Sequence, residues 1–177
     1  MLQFIHSEKR RPLALLAALL LLLSLSVSLL ACGKSGREYA CFTLFKEITA
    51  EVSFTKYSRL TVDTRNLPLN DEEQEALWAL FEDFAEEKEI HVYRCSLTEA
   101  YQQGYVKKNA GDYSFLNGFH FCFGYAEEDE DGNLKFDVTY AWRSTYDNFG
   151  AANARMEKNG NKWILADYDN WGGMMNP

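Results

Sequence analysis

The stretch FLNGFHFCFGYAEEDEDGNLKFDVTYAWRS, residues 115 to 144, decides the fold because its pattern predicts two strands joined by a tight turn. Apolar residues alternate with smaller or polar residues on both sides of Asp131-Gly132-Asn133. These residue types tolerate the positive φ angles that hairpin turns need. Alternation places His120 and Cys122 on one face of the first strand. The opposite face carries Phe119, Phe121 and Phe123.

The same pattern continues towards the C-terminus. Residues 149 to 158 and 162 to 168 predict two further strands, and Asn159-Gly160-Asn161 between them predicts a second hairpin turn. Consecutive hairpins form an antiparallel meander, in which we expect Phe121 and Val138 to be core residues. The second strand of the meander presents an apolar face made of Leu134, Phe136, Val138, Tyr140 and Trp142.

Upstream of the meander the sequence predicts helices and short strands. Asn70 caps a helix with an acidic first turn, and the apolar stripe of that helix is Leu77, Leu80, Phe81 and Phe84. Residues 39 to 52 predict an earlier helix, whose apolar face is Phe42, Phe45, Ile48, Thr49 and Val52. Residues 59 to 66 and 90 to 94 predict strands, and residues 98 to 104 predict one or two helical turns.

This order of elements predicts an α+β fold in which N-terminal helices pack on an antiparallel, meander-type sheet. Between Tyr39 and Tyr168 the succession resembles the cystatin-like and NTF2-like folds. The strand at residues 59 to 66 is an addition to the simplest NTF2-like order. The resemblance implies a curved sheet with one face covered by helices. Such folds host enzymes and binding modules alike, so the function must be argued from a site.

The N-terminus predicts export and lipid attachment. Lys9, Arg10 and Arg11 precede an uncharged, leucine-rich run from residue 13 to residue 31, which is typical of a bacterial export signal. Leu29-Leu30-Ala31-Cys32 at the end of the run resembles the lipobox of bacterial lipoproteins. The resemblance implies that Cys32 is diacylated and becomes the mature N-terminus. The protein is then held on the extracytoplasmic side of the cell membrane.

An uncleaved membrane anchor is the alternative for this segment, because a 19-residue run forms a helix about 28 Å long. A phosphate-binding loop is excluded although Gly33-Lys34-Ser35 contains its last three residue types. Such a loop needs a glycine five positions before Gly33, and Ser28 stands there.

We therefore divide the chain into a signal peptide at residues 1–31, a lipidated tether at 32–38 and one α+β domain at 39–177. The 146 residues left after signal removal suit a single domain. They carry 15 basic and 25 acidic residues, a net charge of about −10. That charge disfavours nucleic acid as a partner, because nucleic-acid sites need basic patches.

The remaining cysteines are Cys41, Cys95 and Cys122, and no two cysteines are spaced as C-x-x-C. The absence of this spacing excludes the usual zinc and thioredoxin-like motifs. Cys95 and Cys122 form a disulfide if their strands are neighbours; otherwise the thiols stay free and buried.

Candidate catalytic and metal-binding residues are few. His120 beside a carboxylate such as Asp63, Asp112 or Asp137 would form a general acid–base pair, although an outward-facing or core-satisfied imidazole is the simpler interpretation. The acidic segment at residues 127 to 133 fails as an EF-hand, because Val138 occupies the position of the bidentate glutamate. We predict no metal, no cofactor and no catalytic residue.

The aromatic C-terminal strands supply the candidate binding residues. Trp142, Arg143 and Tyr146 are residue types that dominate protein interfaces, and they end a strand together. With His120 they form the predicted binding set. The favoured function is a noncatalytic binding or interaction module at the cell envelope, anchored in lipid through Cys32 and recognising an envelope protein or a small ligand. The alternative is a small envelope enzyme using His120 with a nearby carboxylate.

Overall fold

The computed structural model describes residues 36–109, 112–142, 144 and 148–172. The predicted signal peptide at 1–31 and the lipidation site Cys32 lie outside these ranges. Within them, no helix is both long enough and apolar enough to cross a bilayer.

The described chain is α+β, as its sequence predicts. Its helical segments are α1 (Arg37–Ile48), one 3-10 turn (Phe54–Lys56), α2 (Asp71–Glu87) and α3 (Leu97–Gln102). The first strands are β1 (Arg59–Asp63), β2 (His91–Arg94), β3 (Val106–Asn109) and β4 (Asp112–Phe115). The longer strands follow as β5 (Gly118–Glu128), β6 (Leu134–Ala141), β7 (Asn148–Asn159) and β8 (Lys162–Gly172).

The main sheet has the order β2-β1-β5-β6-β7-β8 and is mixed, because parallel pairing of β1 is added to the predicted antiparallel meander. β5 to β8 do form the predicted antiparallel meander, and its turns contain Gly132 at φ 78° and Gly160 at φ 64°. β1 instead lies parallel to both β2 and β5. The connection through α2 makes this arrangement feasible, because parallel neighbours need a long crossover between them.

A hairpin of β3 and β4 forms a separate two-stranded sheet that no periodicity in the sequence predicted. β3 is Val-Lys-Lys-Asn, so its apolar side is a single residue and alternation gives no signal. With α3, the hairpin covers the face of the sheet that α1 and α2 leave open. The buried apolar residues there are Cys95, Ala100, Val106, Phe115 and Ala141.

The main core lies between the sheet and the two longer helices. Phe45 of α1 is at its centre, with edge-on ring contacts to Phe81 of α2 at 5.0 Å and to Phe121 of β5 at 5.1 Å. Val138 is fully buried as predicted. Leu77, Phe81 and Phe84 of the predicted α2 stripe are buried, while Leu80 is half-buried.

The predicted apolar face of α1 was partly wrong. The helix ends at Ile48, so Thr49 and Val52 lie beyond it, and the buried residues are Ala40, Cys41, Leu44 and Phe45. Because α1 packs on α2 and also on β7 and β8, its buried side includes Leu44, which the predicted stripe left out. Phe42 lies at the edge of this side and meets the ring of Phe81 at 5.4 Å.

The first described residues are clamped onto the domain. The indole nitrogen of Trp163 donates to the Gly36 carbonyl oxygen at 2.9 Å. Arg37 donates two hydrogen bonds, at 2.9 and 2.8 Å, to the carboxylate of Glu73. Glu73 also completes a capping box with Asn70, the predicted N-cap of α2. Residues 36 and 37 are therefore fixed beside β8 and the start of α2.

Candidate functional site

His120 lies in the middle of the mixed sheet, on the face opposite the phenylalanines of β5. It pairs in register with Thr61 of β1 and Ala141 of β6, and only 7% of its surface is exposed. Its Nδ1 atom lies 2.8 Å from the hydroxyl of Thr61, and its ring stacks on Phe115 at 6.0 Å. The imidazole is thus fixed from two sides.

A cavity of about 280 Å³ opens beside His120. Its wall carries the polar or titratable side chains of Asp63, Arg65, Cys122 and Thr139. Leu97 of α3 and Ala141 contribute apolar surface. Four elements therefore build the cavity: the end of β1, the start of α3, the first part of β5 and the end of β6.

His120 lines this cavity, and Thr61 already occupies its Nδ1 atom. Nε2 makes no hydrogen bond with a described residue, since the ring's described hydrogen bond is the one between Nδ1 and Thr61. Yet among the described residues every fully buried side-chain nitrogen or oxygen has a partner. Nε2 is therefore not sealed in the core, and the cavity is the space it opens on.

Asp63 and Arg65 form an ion pair on the cavity wall. Asp63 Oδ1 accepts from the Arg65 backbone nitrogen at 3.2 Å and from Nε at 2.9 Å, and Oδ2 accepts from Nη2 at 2.7 Å. Burial opposes ionisation of Asp63, but the hydrogen bonds from Arg65 outweigh it and leave the carboxyl pKa below its usual value. The Arg65 side chain is 65% exposed, so the pair reaches from the interior to solvent.

His120 is neutral at neutral pH. Burial lowers its pKa to about 4, an effect that the Asp63 carboxylate opposes and the Arg65 guanidinium reinforces. The ring presents either an N–H or a lone pair at Nε2, depending on which partner holds the proton between Nδ1 and the Thr61 hydroxyl. It presents no positive charge to the cavity.

Cys95 and Cys122 are free, which settles the alternative that the sequence left open. The Cys95 N–H donates to Val62 of β1, and Cys122 pairs with Asp63 across the other side of the same strand. Two strand spacings put the Cα atoms about 10 Å apart, beyond the limit of about 7 Å for a disulfide. Burial raises the pKa of each thiol to about 11, so both stay protonated.

No group of three or more histidine, cysteine, aspartate or glutamate side chains in the described ranges is arranged to hold a metal ion. In the acidic β5–β6 turn, Asp129 uses its oxygens within the turn. It accepts from the Asp131 backbone nitrogen at 3.0 Å and from the Asn133 backbone nitrogen at 2.9 Å. The carboxylate therefore stabilises the hairpin.

Trp142, the other predicted binding residue that the structure describes, lies apart from His120. Trp142 is half-buried and stacks on Phe149 at 4.9 Å, on the face of the sheet opposite His120. It lines a separate hollow of about 360 Å³ with Tyr57 and Asn117. Arg143 and Tyr146 lie outside the described residues, so the binding role of this segment stays a prediction.

Sequence reasoning named His120 and Asp63 but missed Thr61, Arg65 and Thr139 as their neighbours. The signal for Thr61 was present in RLTVDTR, residues 59 to 65. There Thr61 and Asp63 alternate with Leu60 and Val62 and must share one face of the strand. The parallel pairing of β1 with β5, which brings this face beside His120, had no signature in the sequence.

The chain matches no family model, no curated protein and no solved structure. Its resemblance to cystatin-like and NTF2-like folds and to bacterial lipoproteins stays a prediction, and its function rests on the site.

Proposed function

We propose that this chain is a lipoprotein, tethered through Cys32 to the extracytoplasmic face of the cell membrane, and that its domain is a noncatalytic binding module with the His120 cavity as its ligand site. The observation that carries the ligand site is the Nε2 atom, which opens on a cavity without a partner among the described residues. Because Nε2 is not sealed in the core, a ligand in the cavity can displace solvent and take up this hydrogen-bonding position.

The protonation states support binding over proton transfer. A general base works best when its pKa lies near the working pH, and that of His120 is about 4. Asp63 accepts three hydrogen bonds from Arg65, which hold it ionised and leave it a poor proton donor. The pair is better suited to fixed hydrogen bonding than to exchanging protons with a substrate.

An envelope enzyme using His120 is the second candidate, and one observation favours it: His120 and Asp63 line the same cavity. Catalysis by this pair predicts an activity that His120→Asn abolishes and whose rate falls with acid as the imidazole protonates. Ligand binding predicts that saturation and stabilisation depend on His120 without turnover. Product analysis of the bound molecule separates the two.

Anchoring is tested with Cys32→Ala in the full chain. Its basis is the basic n-region, the leucine run and the Leu-Leu-Ala-Cys ending. We expect the variant to lose incorporation of labelled fatty acid, whereas Cys41→Ala keeps it because Cys41 is buried in α1. Lipid labelling that persists in Cys32→Ala overturns the lipoprotein proposal.

The binding site is tested with purified wild-type protein and His120→Asn, incubated with small-molecule extracts of the cell envelope. The asparagine amide occupies the position of Nδ1 and retains a partner for Thr61, but it removes the atom that faces the cavity. We expect a molecule retained by the wild type and lost from the variant. Equal retention by both proteins would place the ligand elsewhere.

A further inference from the structure

We propose that the His120 cavity takes an uncharged, hydroxyl-rich ligand about the size of a monosaccharide, held by a hydroxyl group at Nε2. This proposal rests on the proposed binding function and specifies its ligand class. It follows from the charges already present on the cavity wall, from the two hydrogen-bonding states of the imidazole and from the size of the space.

Charge argues against an ionic ligand. The one guanidinium on the described wall, Arg65, is already paired with Asp63, and the Glu99 carboxylate lies close enough to influence Arg65 electrostatically. An anion would meet one guanidinium that the Asp63 carboxylate already pairs with, and a second carboxylate, Glu99, nearby. A cation would find Asp63 holding three hydrogen bonds from Arg65. Either ion would lose hydration without gaining a free counter-ion.

Hydrogen bonding argues for a hydroxyl. Thr61 can donate to Nδ1 at 2.8 Å or to the Phe119 carbonyl at 3.4 Å. The first arrangement leaves Nε2 a donor, and the second leaves it an acceptor. A ligand hydroxyl accepts in one case and donates in the other, so it satisfies Nε2 in both. The Thr139 hydroxyl on the same wall has the same dual capacity.

The size and the apolar wall set the rest of the ligand. A cavity of about 280 Å³ lies just below the usual range for small-molecule sites, which begins near 300 Å³. Leu97 and Ala141 offer apolar contact to the C–H groups of a compact ring. A sugar-sized molecule combines such groups with several hydroxyls.

The test compares three hexoses of one shape and different charge: glucose, protonated glucosamine and glucuronate, at about pH 6. The readout is the ¹⁵N resonance of His120 Nε2 in the wild-type protein, titrated with each sugar. This signal reports the hydrogen bond at the proposed atom and needs no mutant. The matched variants are His120→Gln, whose amide reaches the Nε2 position, and His120→Asn, whose amide does not.

We expect saturable movement of the Nε2 resonance with glucose, at a Kd about tenfold or more below those of the charged sugars. We also expect His120→Gln to keep more of this affinity than His120→Asn. If a charged sugar binds more tightly and still moves Nε2, the ligand class is wrong while the proposed binding site stands. If none of the three moves Nε2, this ligand class is likewise refuted. The proposed binding function is decided by the other experiment. It fails only if His120→Asn retains the envelope ligand as the wild type does.

Discussion

Acid should destabilise the fold through His120, whose burial disfavours the charged imidazolium. The folded-state pKa is about 4, against an ordinary histidine value of 6.5. Below pH 6.5 the unfolded chain therefore binds a proton that the folded chain refuses, so stability falls as the pH falls. The loss is about 2 kcal/mol between pH 7 and pH 5, and about 3 kcal/mol by pH 4.

The assay is urea unfolding of the wild type and of His120→Asn at pH 7, 6 and 5. The variant carries a neutral amide at every pH. Its free energy of unfolding, measured relative to wild type, should therefore rise by about 2 kcal/mol from pH 7 to pH 5. Asp63 does not interfere, because its lowered pKa places its own contribution below this range. His91→Asn, at an exposed site on β2, is the matched control and should keep the wild-type acid sensitivity.

The reasoning would be refuted if the difference in free energy of unfolding between wild type and His120→Asn stays constant from pH 7 to pH 5. It would mean that the folded protein accepts the proton at His120 as readily as the unfolded chain does. Either water in the cavity or the negative charge of Asp63 would then be sufficient to stabilise an imidazolium. The proposed preference for uncharged ligands would lose its support.

Three further predictions concern the core, the clamp and the thiols. Phe81→Ala should lower the free energy of unfolding in urea by about 3 to 5 kcal/mol, since Phe81 is fully buried. Tyr125→Ala, at a 59% exposed site, should lower it by less than half of that. Equal losses would show that α2 does not face the core. Trp163→Phe keeps an aromatic side chain at this site but removes the indole N–H that donates to the Gly36 carbonyl oxygen. The free energy of unfolding should fall by about 1 kcal/mol, and amide exchange at the start of α1 should become faster. Unchanged exchange would mean that the clamp is unimportant. Cys95 should resist alkylation at about pH 8 in the folded protein and react after unfolding, because its thiol is buried and its pKa is raised to about 11; rapid labelling of the native protein would contradict this.

Local signals predicted the parts of the fold that local physics determines. The Gly132 and Gly160 turns and the Asn70 cap were all found from their sequence because each depends on a few neighbouring residues. The phenylalanine face of β5 followed from alternation for the same reason. The apolar face of α1 was partly missed because that helix packs on two partners, and periodicity alone does not say how wide the buried side is.

The site was less predictable because it depends on pairing between distant segments. Thr61 and His120 are 59 residues apart, and only the parallel register of β1 with β5 joins them. A short strand flanked by helices carries no mark of the strand it will pair with. The sequence therefore supplied His120 and Asp63 as separate candidates, and the sheet order made them neighbours.

The clamp at Gly36 has a consequence for the time at which the domain can fold. Its partner Trp163 is synthesised 127 residues later, and β1 likewise waits for β5 before it gains its second neighbour. Contacts of such long sequence separation slow folding, because the entropy of closing the loop is lost before the contact forms. A chain that emerges N-terminus first would hold β1 without its second neighbour until β5 has followed, and α1 without its contacts to β8 until β8 has followed. The domain should therefore complete its folding only after the whole chain is released, and fragments ending before β8 should be readily degraded.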